Sequence, residues 1–85
     1  MHQLYRENHV YGAFKLARGR LTFRTGDPSL TQRLAAERAK GARSTVWLLS
    51  ADPLREVRGQ LEAVELVKFN APQQWQVVMK VLHAV

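Results

Sequence analysis

The amino-acid sequence predicts an α+β fold: a small mixed sheet with an N-terminal β-hairpin, and two or three helices packed on one face. Three observations predict this class. Alternating apolar residues flank an Arg-Gly pair near the N-terminus, a short apolar run lies mid-chain, and proline-containing caps precede stretches of helical spacing. The predicted order is β-β-α-β-α-(β)-α. With 85 residues and no linker, one domain is expected over residues 1–85.

The hairpin is predicted over residues 10–24, with its turn at Arg18-Gly19, because glycine supplies the positive φ of a tight turn. Before it, Leu4 and Tyr5 fit either a short strand or a tail. A slip of one residue would mix apolar and polar side chains, so the pattern favours one register. One face is then apolar: Phe14, Leu16, Leu21 and Phe23. The other face is mostly basic: Tyr11, Lys15, Arg20, Thr22 and Arg24.

The first helix is predicted to begin near Asp27, which can cap it, with Pro28 at the first helical position. Residues 29–32 also fit a capping box, so two starting points remain open. The helix should end before Gly41. Its apolar stripe is short, so it should pack lightly and expose most of its surface. The stripe consists of Leu30 and Leu34.

One strand and one helix are predicted for the middle of the chain. Residues 44–49 contain a continuous apolar run, which predicts a buried strand at the centre of the sheet. Asp52-Pro53 then opens a second helix that should end near Glu65, and residues 66–69 are predicted to be extended. The helix is predicted from apolar residues at helical spacing: Leu54, Val57, Leu61 and Val64.

The C-terminal segment is predicted to be a further helix, capped by Asn70. Its apolar residues cover an arc of about 200°, whereas a helix packed on one side needs nearer 100°. Such a helix must be covered on two sides, by the domain itself or by a second copy, which favours a homodimer. The residues expected at this interface are Trp75, Val78, Met79 and Leu82.

The positive charge is concentrated in the first half of the chain. Thirteen Lys and Arg against seven Asp and Glu give a net charge of +6. Residues 1–43 hold nine of the basic residues and three of the acids, whereas residues 44–85 hold four of each. The entire net charge therefore belongs to the first half, which predicts a basic surface there.

A basic surface of this kind predicts a small binding protein whose partner is nucleic acid, DNA or RNA. Phosphates are held by several cations on a rigid surface, and an aromatic ring such as Tyr11 can stack on a base. The alternative is a protein-interaction module, a small inhibitor or adaptor that docks on an acidic protein. The residues expected to contact nucleic acid are Tyr11, Lys15, Arg18, Arg20, Arg24, Arg33 and Lys40.

Several functional classes lack the residues they need. There is no cysteine, so thiolate metal sites and cysteine nucleophiles are excluded. The histidines lack metal-ligand spacing, no phosphate-loop pattern occurs, and nothing in the spacing supports an acid–base set of Glu7, His9 and Arg18. We therefore expect no enzyme, cofactor or metal. No apolar run approaches about 20 residues and no signal peptide is visible, so a cytoplasmic protein without a membrane span is expected.

Overall fold

The computed structural model describes residues 3–6, 9–51 and 54–84. These residues form a mostly β domain with one α-helix, so the predicted α+β class with two or three helices is wrong. The observed order is β-β-β-β-α-β-β-β. The elements are β1 (Leu4–Arg6), β2 (His9–Gly12), β3 (Phe14–Ala17), β4 (Arg20–Thr25), α1 (Pro28–Ala39), β5 (Thr45–Ala51), β6 (Leu54–Lys68) and β7 (Gln74–Ala84).

The seven strands form one curled sheet in the order β2-β1-β5-β6-β7-β4-β3. Its pairings are all antiparallel among the described strands, so the predicted mixed sheet is also wrong. Strands β2 and β3 stand at opposite edges of this order, yet only Ala13 separates them in sequence. A flat sheet of seven strands would hold its edges about 29 Å apart. The sheet therefore curls into a half-barrel, which brings its edges together at Ala13.

Helix α1 covers the concave side of the half-barrel, where Leu30 and Leu34 are fully buried. Trp47 of β5 is also fully buried at the centre of this core. Its ring is met edge-on by Tyr11 at 5.6 Å and by Phe23 at 4.8 Å between centroids. These contacts join strands from both ends of the sheet order. The remaining buried apolar residues all come from strands: Leu4, Leu21, Phe23, Leu49, Val57, Leu61, Val77 and Met79.

The predicted hairpin register is confirmed. Leu16 lies opposite Leu21 and Phe14 opposite Phe23, and both turn residues have positive φ, 54° at Arg18 and 74° at Gly19. The hairpin is shorter than predicted, because residues 9–12 leave it and pair with β1 instead. Of the two alternatives for Leu4 and Tyr5, a short strand or a tail, the structure shows the strand, β1.

The first helix and the central strand are confirmed as well. Asp27 Oδ1 accepts hydrogen bonds from the backbone N–H groups of Ser29 at 2.9 Å and Leu30 at 3.3 Å, so the helix begins at Pro28. Gly41, with a φ of 67°, follows its C-cap. Strand β5 lies third in the seven-strand order and carries the buried Trp47.

The predicted second helix is wrong, because residues 54–68 form the long strand β6. Three register shifts interrupt its pairing with β7. Each bulge adds one residue to a strand and displaces the inward–outward alternation. Val57 and Leu61 share a face by ordinary alternation, and the shift between Leu61 and Ala63 moves the next core-facing residue to Val64. The resulting spacings of four and three positions match a helical stripe.

The predicted last helix is also wrong, because residues 74–84 form β7, an interior strand between β6 and β4. Val77 and Met79 point into the core, while Gln76 and Lys80 alternate with them. A strand with apolar residues on both faces gives a wide apolar arc when its sequence is plotted on a helical wheel, which explains the wrong prediction. No helix in the described residues is long and apolar enough to cross a membrane.

Candidate functional site

The outer face of the β3–β4 hairpin carries several of the basic residues of the first half of the chain. Phe23 and Leu21 point into the core, so the alternating residues of β4 must point outward. Arg20 and Arg24 are therefore exposed on the outer face, together with Lys15, which lies opposite Thr22. Arg18 stands at the tip of the same hairpin.

Two adjoining hollows lie at the hairpin, one along its outer face and the other at its open end, beside Tyr11. Thr22 and Gln76 line both of them, so the hollows are neighbours, and together they are called the depression; no carboxylate lines either one in the described part of the chain. The first hollow, of about 660 Å³, is lined by Lys15, Ala17, Arg18, Arg20, Thr22 and Gln76. The second, of about 420 Å³, is lined by Tyr11, Ala13, Phe14, Thr22, Phe23, Arg24 and Gln76.

The cations of this depression differ in how they are partnered. Lys15, Arg18 and Arg24 form no ion pair with any residue in ranges 3–6, 9–51 and 54–84. Arg20, in contrast, donates two hydrogen bonds to Glu62, from Nε at 2.6 Å and from Nη2 at 3.2 Å. Three of the four cations are thus available to an anion of a ligand, whereas Arg20 is held by Glu62.

Glu62 reduces the positive charge of this surface, because its carboxylate is bonded to Arg20. Hydrogen bonding from Arg20 lowers the pKa of Glu62 below its ordinary value, partial desolvation opposes the shift, and the charges of Arg20 and Lys80 add to it. The same contact raises the pKa of Arg20. The backbone oxygen of Glu62 also accepts a hydrogen bond from Arg38 Nε at 2.8 Å, which joins α1 to β6. Glu62 therefore stays ionised at neutral pH and offsets part of the adjacent positive charge.

Aromatic side chains line only the second hollow. Tyr11 is half-buried, and its edge-on contact with Trp47 fixes the plane of its ring. The sequence predicts that Tyr11 shares the basic face of the hairpin with Lys15. The structure differs, because the chain turns at Gly12, whose φ is 91°. Tyr11 lies instead beside Arg24, at the open end of the hairpin.

The structure brings together five of the seven residues expected to contact nucleic acid. Arg33 and Lys40 belong to the α1 region, which packs against β6, and neither lines the depression. Sequence reasoning misses Gln76, because its segment is predicted as a helix far from the hairpin. Its strand pairing places it directly opposite Arg24. The residues that are brought together are Tyr11, Lys15, Arg18, Arg20 and Arg24.

The four residues expected at a dimer interface do not share one face. Met79 is fully buried in the core, and Trp75 is half-buried on the same side of β7. Val78 and Leu82 alternate with them on the other side, where Leu82 is 38% exposed. The helical arc that favours a homodimer therefore does not exist.

A separate cavity of about 350 Å³ lies where β1, β5 and α1 meet. Arg6 Nη2 donates to Glu37 Oε1 at 3.0 Å, and the Arg6 guanidinium carbon lies 5.1 Å from the centroid of the Trp47 ring. Two further polar atoms of the pair, Arg6 Nη1 and Glu37 Oε2, are buried without a hydrogen-bond partner among the described residues. These contacts fasten the short strand β1 to the helix.

Fold and site together define a small, mostly β domain whose hairpin presents a cationic depression with an aromatic end. No group of three or more His, Asp or Glu side chains in the described residues is placed to hold a metal ion. No family model, curated protein or solved structure matches the chain.

Proposed function

We propose that this protein binds nucleic acid, DNA or RNA, through the outer face of the β3–β4 hairpin and catalyses no reaction. The observation that carries the proposal is the depression of two neighbouring hollows, lined by four cations and by no described carboxylate. Phosphate groups are the anions that such a row of Lys and Arg side chains binds best, since each contact releases condensed counterions. Arginine adds paired hydrogen bonds to phosphate oxygens.

Protection of a sheet edge does not account for all of these cations. Lysine on an edge strand prevents pairing with another chain, and Lys15 on β3 meets that description. Arg20 and Arg24 lie on β4, which is paired on both sides by β3 and β7 and has no edge to protect. Their presence on the same face as Lys15 favours a binding surface.

The proposal is tested by the salt dependence of binding, measured by fluorescence anisotropy with labelled single-stranded DNA, duplex DNA and RNA. Four phosphate contacts predict a fall of log affinity with log salt at a slope of about −3 to −4. The hairpin variant Lys15→Gln/Arg18→Gln/Arg24→Gln should reduce that slope by about 2 to 3 and weaken binding at least tenfold at low salt.

The matched control removes three charges elsewhere, as Lys40→Gln/Arg55→Gln/Lys68→Gln. These three side chains are exposed and line neither hollow. Both variants have the same net charge, so a general electrostatic effect would weaken them equally. Equal losses in the two variants, or binding that ignores salt, would reject the hairpin as the site. A complex with an acidic protein that survives nuclease treatment would favour that partner instead.

A further inference from the structure

The two hollows of the depression offer different chemistry. The first is lined by Lys15, Arg18 and Arg20, so its contribution is positive charge. The second is walled by Tyr11 and Phe14, so its contribution is an apolar, aromatic surface. The second hollow holds one cation, Arg24, against three in the first, and it alone is lined by aromatic rings, which a phosphate does not need. The second hollow therefore suits a different part of the ligand.

Polar groups at the rim of the second hollow are not engaged by other described side chains. The Thr22 hydroxyl and the Gln76 amide form no hydrogen bond with the described residues, and Arg24 beside them has no ion pair there. An amide offers both a donor and an acceptor, the combination that the edge of a nucleobase requires. Aromatic walls with such groups at the rim fit a flat heterocycle better than they fit a phosphate.

We infer that the ligand is single-stranded nucleic acid, and that one unpaired base occupies the second hollow while the neighbouring phosphates lie along the first. This inference rests on the proposed function. In a duplex each base is stacked between its neighbours, so it cannot enter a hollow between protein side chains; in a single strand it can turn out and contact an aromatic ring. Trp47 holds Tyr11 edge-on, which keeps that wall in place.

The arrangement along the hairpin agrees with a strand running beside it. Arg20 and Arg24 lie four positions apart on β4, which corresponds to about 13 Å. Thr22 lies between them and lines both hollows. A chain laid from the hairpin tip towards Ala13 would pass Arg18 first, then Arg20, and would bring a base to the aromatic end.

The experiment compares three ligands at one salt concentration: a twelve-nucleotide oligothymidine, the same strand with abasic sites throughout, and a duplex of the same length. The abasic strand keeps every phosphate and removes every base. We expect it to bind at least about fivefold more weakly than the intact strand, with an unchanged salt slope. The duplex should also bind more weakly than the intact strand.

A variant then locates the base. Gln76→Leu removes the amide while keeping bulk in the hollow, and should reduce the preference for the intact over the abasic strand. Gln74→Leu is the matched control, because Gln74 is on the same strand but lines neither hollow. Circular dichroism and thermal unfolding would check that both variants fold.

Equal affinity for intact and abasic strands, or duplex binding as tight as single-strand binding, would overturn this inference. If the hairpin variant still lost affinity in those cases, phosphate binding at the hairpin would stand without it. Binding to none of the three ligands would contradict both this inference and the proposed function. An equal effect of Gln74→Leu and Gln76→Leu would overturn the placement of the base in the second hollow.

Discussion

Glu62 illustrates how one residue can set the strength of a cationic surface. Its carboxylate holds Arg20 and lies near Lys80, while its backbone oxygen is held by Arg38. The depression is therefore less positive at the Arg20 end than its four cations imply. A neutral side chain at position 62 would leave the sheet pairing unchanged and release Arg20.

We predict that Glu62→Gln increases the affinity for nucleic acid about two- to fivefold at low salt. An exposed ion pair is weak, so releasing Arg20 from Glu62 frees it for phosphate with only a modest gain in affinity. Anisotropy titrations measure the change, with Glu65→Gln as the control for loss of one negative charge. An affinity that is unchanged or reduced would show that Arg20 takes no part in binding.

The same ion pair gives a pH dependence of stability. The folded pKa of Glu62 lies below its unfolded value, so the pair stabilises the fold above an ordinary glutamate pKa of about 4.3. This contribution is lost as the pH falls through the lower, folded pKa. Urea unfolding between pH 7 and pH 2.5 should show a smaller acid-induced loss in Glu62→Gln than in the wild type. Identical pH profiles would show that the pair contributes nothing to stability.

Gly59 occupies a position where two strands approach too closely for any other residue. A Cβ built there would lie 2.0 Å from the backbone oxygen of Lys80. We predict that Gly59→Ala lowers the free energy of unfolding by about 3 kcal/mol or more, since overpacking against backbone cannot relax by a rotamer change. Gly19→Ala, with a φ of 74° but open space, should cost only about 1–2 kcal/mol. Chemical denaturation of both variants decides the order.

At the scale of the element, α1 shows what local sequence determines well. Its start and end depend on interactions within a few residues, namely the Asp27 cap, Pro28 and Gly41. The hairpin turn is equally local, since Gly19 and the alternation around it select one register. These elements could be predicted because nothing distant in the sequence has to be known.

The cap itself is a testable element-scale feature. Asp27→Ala removes the acceptor for two backbone N–H groups and should reduce the free energy of unfolding by about 0.5–2 kcal/mol. Asp27→Asn keeps a side-chain oxygen at the same place and should cost much less. Comparable losses in the two variants would mean that the carboxylate charge, and not the cap, is what matters.

Strands β6 and β7 show where local sequence fails. One bulge of β6, between Leu61 and Ala63, displaces the alternation so that Val64 follows Leu61 by three positions, and Val57, Leu61 and Val64 acquire helical spacing. A helical wheel cannot distinguish this from a true stripe, because the bulges depend on how β7 pairs with β6. The valines of β7 at positions 77, 78 and 81 are the signal that could have favoured a strand, since β-branched side chains are common in sheets.

The candidate site was partly predictable for the same reasons. Lys15, Arg20 and Arg24 share a face because of the hairpin register, which is local. The contribution of Gln76 depends on the pairing of β4 with β7, more than fifty positions away in the chain. The position of Tyr11 depends on the curl of the whole sheet.

For the molecule as a whole, long-range pairing should govern the folding rate. Tyr5 pairs with Leu48 and Arg20 with Lys80, so loops of about 40 to 60 residues must close before the sheet is complete. Proteins dominated by such contacts fold in milliseconds to seconds. Stopped-flow refolding followed by tryptophan fluorescence should show this range. Complete folding within microseconds would contradict the observed topology.

The single residue between β2 and β3 limits what the molecule can do mechanically. The distance from Gly12 to Phe14 cannot exceed about 7.6 Å, because two peptide units span it. The two margins of the sheet are thus tethered at one point. Either edge pair, β1–β2 or β3–β4, can separate from the rest of the sheet. The sheet cannot unroll while both pairs remain in place, so any motion that opens the interior must first break one of them.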